Sequence, residues 1–334
     1  MFVLESYPLA ILFCIMTMLC WGSWANTQKL AGKTWRFELF YWDYVIGVLL
    51  LALVFAFTLG SIGEGGRSFL ADIAQADGAS IGSALLGGVI FNAANILLVA
   101  AIAIAGMSVA FPVGIGIALI MGVVVNYVGA PQGDPALLFT GVAFIAAAVL
   151  LDAVAYSKMS QSKEKVSTKG ILISVIAGVL MALFYRFVAA SMSDDFDNPV
   201  AGKMTNYSAC VVFAVGILLS NVVFNTIFMM KPVEGEPVGY GQYFGGDLKT
   251  HLTGMLGGII WCAGMSFSII AAGEAGYAIS YGLGQGATLV AALWGVFIWR
   301  EFKGTSKGVH LLLAFMFVCF VIGITLIILA GKYG

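Results

Sequence analysis

The chain has 334 residues, of which 61% are hydrophobic and 10% charged, and its mean hydropathy is +1.00. A soluble domain is about 45–50% apolar and about 25% charged, so a soluble globular protein is excluded. The net charge of −1 offers no basic field for nucleic acid, and two histidines leave almost no material for a metal centre or a Ser-His hydrolase.

Apolar runs follow one another at roughly 8–28, 39–60, 81–104, 108–128, 136–157, 170–192, 206–230, 251–272, 276–298 and 309–330. Each is long enough for a spanning helix of ~20 residues, which predicts an all-α membrane protein with ten transmembrane helices. The first run has no Lys or Arg before it and no small-residue cleavage site after it, so it reads as a span rather than a signal peptide. Cys14, Cys20, Cys210, Cys262 and Cys319 all fall inside apolar runs without a CxxC spacing and read as packing residues.

Basic residues are unevenly placed. The connections after spans 1, 5, 7 and 9 carry Lys29, Lys33, Arg36, Lys158, Lys163, Lys165, Lys169, Lys231, Lys249, Arg300, Lys303 and Lys307. The connections after even-numbered spans and both tails carry Arg67, Lys203 and Lys332. The positive-inside rule then places the first set in the cytoplasm and both termini outside.

The two halves repeat. At an offset of 170 residues, Leu86-Gly87-Gly88-Val89-Ile90 lies on Leu256-Gly257-Gly258-Ile259-Ile260. The register runs on through Gly106 and Gly276, Gly114 and Gly284, and Gly116 and Gly286. A period of five spans inverts one half relative to the other, the architecture of alternating-access transporters. The expected organisation is a five-helix repeat over 1–157, a cytoplasmic linker over 158–169 and a second repeat over 170–334.

Polar residues at mid-membrane depth are expensive and face the bundle interior. Asn92 sits at the centre of span 3, with Asn95 about one turn on; the repeat sets Trp261, Cys262 and Met265 at the same depth of span 8. Amides facing an indole make a cradle for a flat or ring-shaped neutral solute; the alternative is interhelical glue. Span 9 carries Gln285 among Gly282, Gly284 and Gly286, about 12 Å deep at 1.5 Å per residue, with Tyr281 one turn away. Span 4 has Pro112, Gly114 and Gly116 in the matching place, so both helices are expected to be interrupted there. In span 1, Trp21 lies deep enough to stack on a ligand, whereas Trp24 is explained by an interfacial aromatic belt.

The charged residues within or beside the spans are candidates for ion coupling. Asp43 is a possible proton carrier, its alternative being an interfacial pair with Arg36 or Lys33. Arg186 lies towards the outer end of span 6 and either serves a cavity or snorkels. Glu274 sits in the turn between spans 8 and 9, and Asp152 reads as interfacial beside Lys158.

An ordered string runs through these features: Phe-Val-Leu-Glu-Ser (2–6), Trp21, Tyr-Trp-Asp-Tyr (41–44), Phe-Thr-Leu-Gly-Ser-Ile-Gly (57–63) and Phe-Leu-Ala-Asp-Ile-Ala-Gln (69–75). It continues with Gly-Gly-Val-Ile (87–90) and Asn95, Gly-Met-Ser-Val (106–109), Gly-Tyr-Ala (276–278) and Leu-Trp-Gly-Val (293–296) before Glu301. The string resembles the plant ureide permease family of the drug/metabolite transporter superfamily, to which bacterial glucose/ribose and rhamnose porters are related. The resemblance implies a ten-helix, two-repeat fold and proton-driven uptake of allantoin-like ureides and oxo-pyrimidines or purines. Plant members carry a longer central loop with a nucleotide-loop-like motif; here 158–169 has no Gly-Lys-Ser/Thr, so no ATP coupling and no cofactor are expected.

The expected protein is a secondary transporter, monomeric or homodimeric, in a bacterial inner membrane, whose partners are a small-molecule substrate, protons and the lipid bilayer. Sugar or nucleoside uptake is the alternative. A drug exporter is disfavoured by amides where a central carboxylate belongs, and an intramembrane enzyme by the lack of a His/Asp cluster.

Overall fold

The computed structural model describes residues 1–32, 35–105, 107–159, 167–233 and 235–333. Lys33, Lys163, Lys165, Gly106 and most of the 158–169 linker lie outside the described residues. Within them the chain forms α1 (Tyr7–Ser23), α2 (Asn26–Ala31), α3 (Phe37–Phe57), α4 (Phe69–Gln75), α5 (Gly78–Ala105), α6 (Met107–Gly129) and α7 (Pro135–Met159). The second half forms α8 (Thr168–Ser191), α9 (Asn206–Met230), α10 (Tyr240–Phe244), α11 (Leu248–Ala275), α12 (Tyr277–Gly284), α13 (Ala287–Leu293), a π-helical turn at Trp294–Ile298, and α14 (Lys307–Tyr333). Among the described residues, ten helical segments are long and apolar enough to cross a membrane, α1–α2 and α12–α13 each counting as one. The protein is an all-α membrane protein.

Local chemistry sets several helix starts. Asp77 accepts from the Ser80 amide at 2.6 Å ahead of α5, and Asp247 from the Thr250 amide at 2.8 Å ahead of α11. Such bonds satisfy amides that have no partner within the helix. They also hold both carboxyls below the ordinary carboxylate range.

Packing follows a regular scheme. α5 lies against α8 and α9, and α11 lies against α1 and α3. α6 runs along α8, α12 and α13 along α1, α3 meets α9, and α7 meets α14. Glycine makes two of these seams possible. A Cβ on Gly88 would strike the Phe213 carbonyl and one on Gly216 the Leu85 carbonyl; likewise Gly47 meets the Met255 carbonyl and Gly258 the Tyr44 carbonyl. Where lipid is as apolar as the protein, such backbone approach is a main source of helix association.

Span 9 is broken as expected, α12 ending at Gly284 and α13 starting at Ala287. Span 4 is not: α6 is continuous from Met107 to Gly129 with Pro112 inside it. Proline so near a helix start removes a single backbone bond, and the helix carries on.

At the end bearing both termini the long connections interlock. Arg67 Nε donates to Asp72 Oδ1 at 2.9 Å, and its guanidinium also donates to the carbonyls of Pro199, Val200 and Lys203. Asp72 Oδ2 accepts from the amide and hydroxyl of Thr205, at 2.7 and 3.0 Å. The opposite, basic end is held by separate contacts: Lys29 with Glu301, Arg36 with Glu38, and His251 with Asp43.

Candidate solute-binding cavity

Between α1, α5, α8, α11 and the break in span 9 lies about 700 Å³ of empty space, open solvent at its mouth included. Trp21, Trp24, Phe91, Phe184 and Trp261 supply aromatic walls; Asn95, Gln285 and Thr288 supply polar groups. No ionisable side chain lines this cavity among the described residues.

The walls are built from rigid helix segments. Trp21 on α1 stacks on Trp261 of α11 with centroids 5.9 Å apart, and Phe91 of α5 lies 4.4 Å from the same indole. The Trp21 ring occupies a slot between two glycines: a Cβ on Gly264 would come within 2.6 Å of its Cδ1, and one on Gly284 within 2.8 Å of its Cζ3. Gly284 of span 9 thus makes room for an indole.

The polar groups retain open valences. Asn95 Nδ2 donates to the Tyr41 hydroxyl at 3.1 Å, which turns the amide and leaves its oxygen free to accept. The Gln285 side-chain amide has no hydrogen-bond partner among the described residues, so it offers both a donor and an acceptor. Thr288 donates to the Gln285 carbonyl at 3.0 Å and keeps its lone pairs. A free acceptor beside a free amide matches a solute carrying adjacent N–H and C=O groups.

Four of the residues singled out from the sequence, Trp21, Asn95, Trp261 and Gln285, therefore share one cavity. Three others do not line it. Asn92 is fully buried and donates to Ser220 Oγ at 2.9 Å on α9, tying α5 to that helix. The fully buried Tyr281 hydroxyl is shared between the Ala118 and Met181 carbonyls, each at 3.1 Å. Met265 is also fully buried, within the hydrophobic core.

The charged candidates are dispersed. Asp43 is not paired with Arg36, which bonds Glu38 instead. Its Oδ1 accepts from the Tyr243 hydroxyl at 2.8 Å and lies 2.7 Å from His251 Nδ1, while Oδ2 accepts from Trp35 Nε1 at 3.2 Å. Packing geometry favours this partner, since Asp43 lies directly against Gly254 on α11, one turn from His251. Arg186 lies against Gly129 at the terminus end of α6 and donates to its carbonyl at 3.4 Å. Glu274 is in the last turn of α11 at that same end, where its carbonyl accepts from Gln132 at 3.4 Å. Asp152 is not merely interfacial but lines a second cavity at the basic end.

Sequence reasoning passed over Trp24, Phe91 and Thr288. Trp24 was explained as belt, yet it lines the cavity with its ring 4.8 Å from Tyr44. Phe91 directly precedes Asn92 and Thr288 follows Gln285 by three residues, so proximity to a polar mid-span residue was the available signal.

The profile of the ureide permease family matches residues 40–169 and 164–330. Ureide permease 2 of Arabidopsis thaliana is 25% identical over 397 residues, with 100% of both chains covered; ureide permease 1 of the same plant is 23% identical with the same coverage. The glucose uptake protein of Bacillus subtilis (strain 168) is 26% identical over 48% of this chain and 58% of its own. A protein crystal structure with 16% identity superimposes at a TM-score of 0.59 over 98% of this chain and 99% of that one, a likeness of fold alone.

Proposed function

The chain belongs to the ureide permease family, and from that premise we propose a secondary transporter that imports a small neutral polar solute of ureide or nucleobase type. The observation that carries this reading is the central cavity, in which indole faces and the free groups of Asn95 and Gln285 occur without any ionisable side chain. Ureides and oxo-pyrimidines present alternating N–H and C=O groups on a flat frame, which stack on an indole and bond to an amide.

Alternating access between two inverted five-helix repeats is part of the proposal. Its support is the pairing scheme, in which exchanging each helix for its counterpart five spans on turns the contacts of α5 with α9 into those of α11 with α3. The glycine seam at Gly88 and Gly216 goes with the one at Gly258 and Gly47 in the same exchange. The bias of Lys and Arg supports termini outside and the basic end in the cytoplasm. Because a neutral solute carries no charge of its own, accumulation draws on an ion, which we take to be the proton.

Likeness to a glucose uptake protein over half the chain favours a second reading, sugar uptake, in which the indoles stack on a pyranose face. Purified protein in liposomes under an inward proton gradient separates the two: labelled allantoin or uracil should accumulate and glucose should not compete. Saturable glucose uptake without ureide uptake would select the second reading, and no saturable uptake of any of these solutes would overturn both.

A further inference from the structure

At the basic end, a second empty volume of about 820 Å³, solvent at its mouth included, shares Thr288 and Ala291 with the central cavity. The two volumes therefore meet at these residues, and they differ in character. Among the described residues the central part carries no ionisable side chain, whereas the second part is walled by Lys29, Asp152, Tyr156 and Glu301.

Two carboxylates in that wall stand in opposite conditions. Glu301 has its acceptors occupied: Lys29 Nζ lies 3.1 Å from Oε1, and the Tyr156 hydroxyl donates to Oε2 at 2.7 Å. The π-helical turn brings Glu301 there, with its amide donating to the Gly295 carbonyl at 3.0 Å. Asp152, one turn before Tyr156 on α7, has an Oδ1 atom that is buried and without a hydrogen-bond partner among the described residues. Lys158 on α7 and Lys307 and His310 on α14 lie at the same end but are exposed. The described side chains of α6 add no acid or base at this end. Asp43, by contrast, is closed off by Trp35, Tyr243 and His251 and lines neither cavity.

Resting on the transport reading above, we propose that Asp152 is the binding site of the coupling proton. The Asp152 carboxylate takes the proton from a hydronium ion that enters with the solute, one O–H bond of hydronium breaking as the O–H bond of a neutral acid forms. That same bond breaks when the proton passes into the second cavity and on to cytoplasmic water. Glu301, held by Lys29 and Tyr156, is the neighbouring carboxyl group beside which the Asp152 proton is exchanged.

The test compares wild type, Asp152→Asn, Asp152→Glu and Glu301→Gln in liposomes, with labelled allantoin or uracil as the probe and an internal pH dye. Two readouts are taken: accumulation under an inward proton gradient, and counterflow exchange with no gradient. Asp152→Asn should exchange at the wild-type rate, fail to concentrate the probe above its outside level, and give no probe-dependent acidification. Asp152→Glu should restore accumulation, and Glu301→Gln should still acidify on probe addition. An Asp152→Asn variant that still accumulates overturns the proposal, as does one that loses exchange together with accumulation. A wild-type protein that exchanges either probe but never accumulates it overturns proton coupling itself, a different failure visible before any variant is made.

Discussion

The Trp21 indole lies nearly parallel to that of Trp261, planes 13° apart, while its Nε1 donates to the Trp261 main-chain carbonyl at 3.2 Å. One ring is thus fixed by both stacking and hydrogen bonding, and the pair joins α1 to α11 at the wall of the cavity. A solute that stacks here meets a preorganised surface and orders no side chain on binding.

Truncating Trp261 removes that surface. Aromatic pairs contribute about 0.5–1.5 kcal/mol beyond simple area burial, so Trp261→Ala should weaken solute binding about threefold to tenfold and Trp261→Phe less. Titration calorimetry on detergent-purified protein checks this, and unchanged affinity in Trp261→Ala would remove the stacking role.

Asn95→Ala deletes a free amide oxygen facing the cavity, and Gln285→Ala a free amide. Loss of one neutral hydrogen bond is about 0.5–1.5 kcal/mol, so affinity should fall about threefold to tenfold; Asn95→Ala should also melt lower, because the buried Tyr41 hydroxyl loses its partner, whereas Gln285→Ala should melt near wild type. Asn92→Ala should do the reverse, lowering the melting temperature through the lost bond to Ser220 while affinity changes little. Equal affinity losses for Asn92 and Gln285 would place the solute deeper than this cavity.

Alanine at Gly264 or Gly284 pushes a methyl group into the Trp21 slot from either side. The ring has to leave its position over Trp261, so each variant should lose affinity although neither residue donates a polar group. Reduced indole quenching by solute in Gly264→Ala is the expected signature.

Removing the Asp72 carboxylate takes the acceptor from Arg67 Nε and from the Thr205 amide and hydroxyl, beneath the connections at the terminus end. Breaking a buried ion pair from one side is destabilising by about 3–5 kcal/mol, so Asp72→Ala should melt well below wild type. Protease nicking between 58 and 77 should increase alongside; a variant resistant to both heat and protease would show that the lock is dispensable.

Asp43→Asn keeps the shape but removes the charge that meets His251. Because Asp43 joins α3 to α10 and α11 away from either cavity, exchange and gradient-driven accumulation should decline together. Loss of accumulation alone would return the coupling role to Asp43.

The spans, their order and the gathering of Trp21, Asn95, Trp261 and Gln285 were legible in the sequence, because apolar length and a polar residue at mid-depth are strong signals. Which way Asn92, Tyr281 and Met265 point was not. A span bordered by lipid on one side and protein on the other is apolar all round, so periodicity cannot tell its buried face. Partners far apart in sequence were equally hidden: His251 reads as an unremarkable start to an apolar run until α11 is laid against Asp43. The break in span 9 and the unbroken span 4 show the same limit, since proline and glycine spacing suggested both.

The seams at Gly47, Gly88, Gly216 and Gly258 bear on how this architecture can evolve. At each, main chain meets main chain, and even one methyl group has nowhere to go. Lipid-facing positions such as Leu50, Leu219 and Val321 are free to drift among apolar residues. The seams are not, so change in this chain has to proceed around four positions fixed by the absence of a side chain.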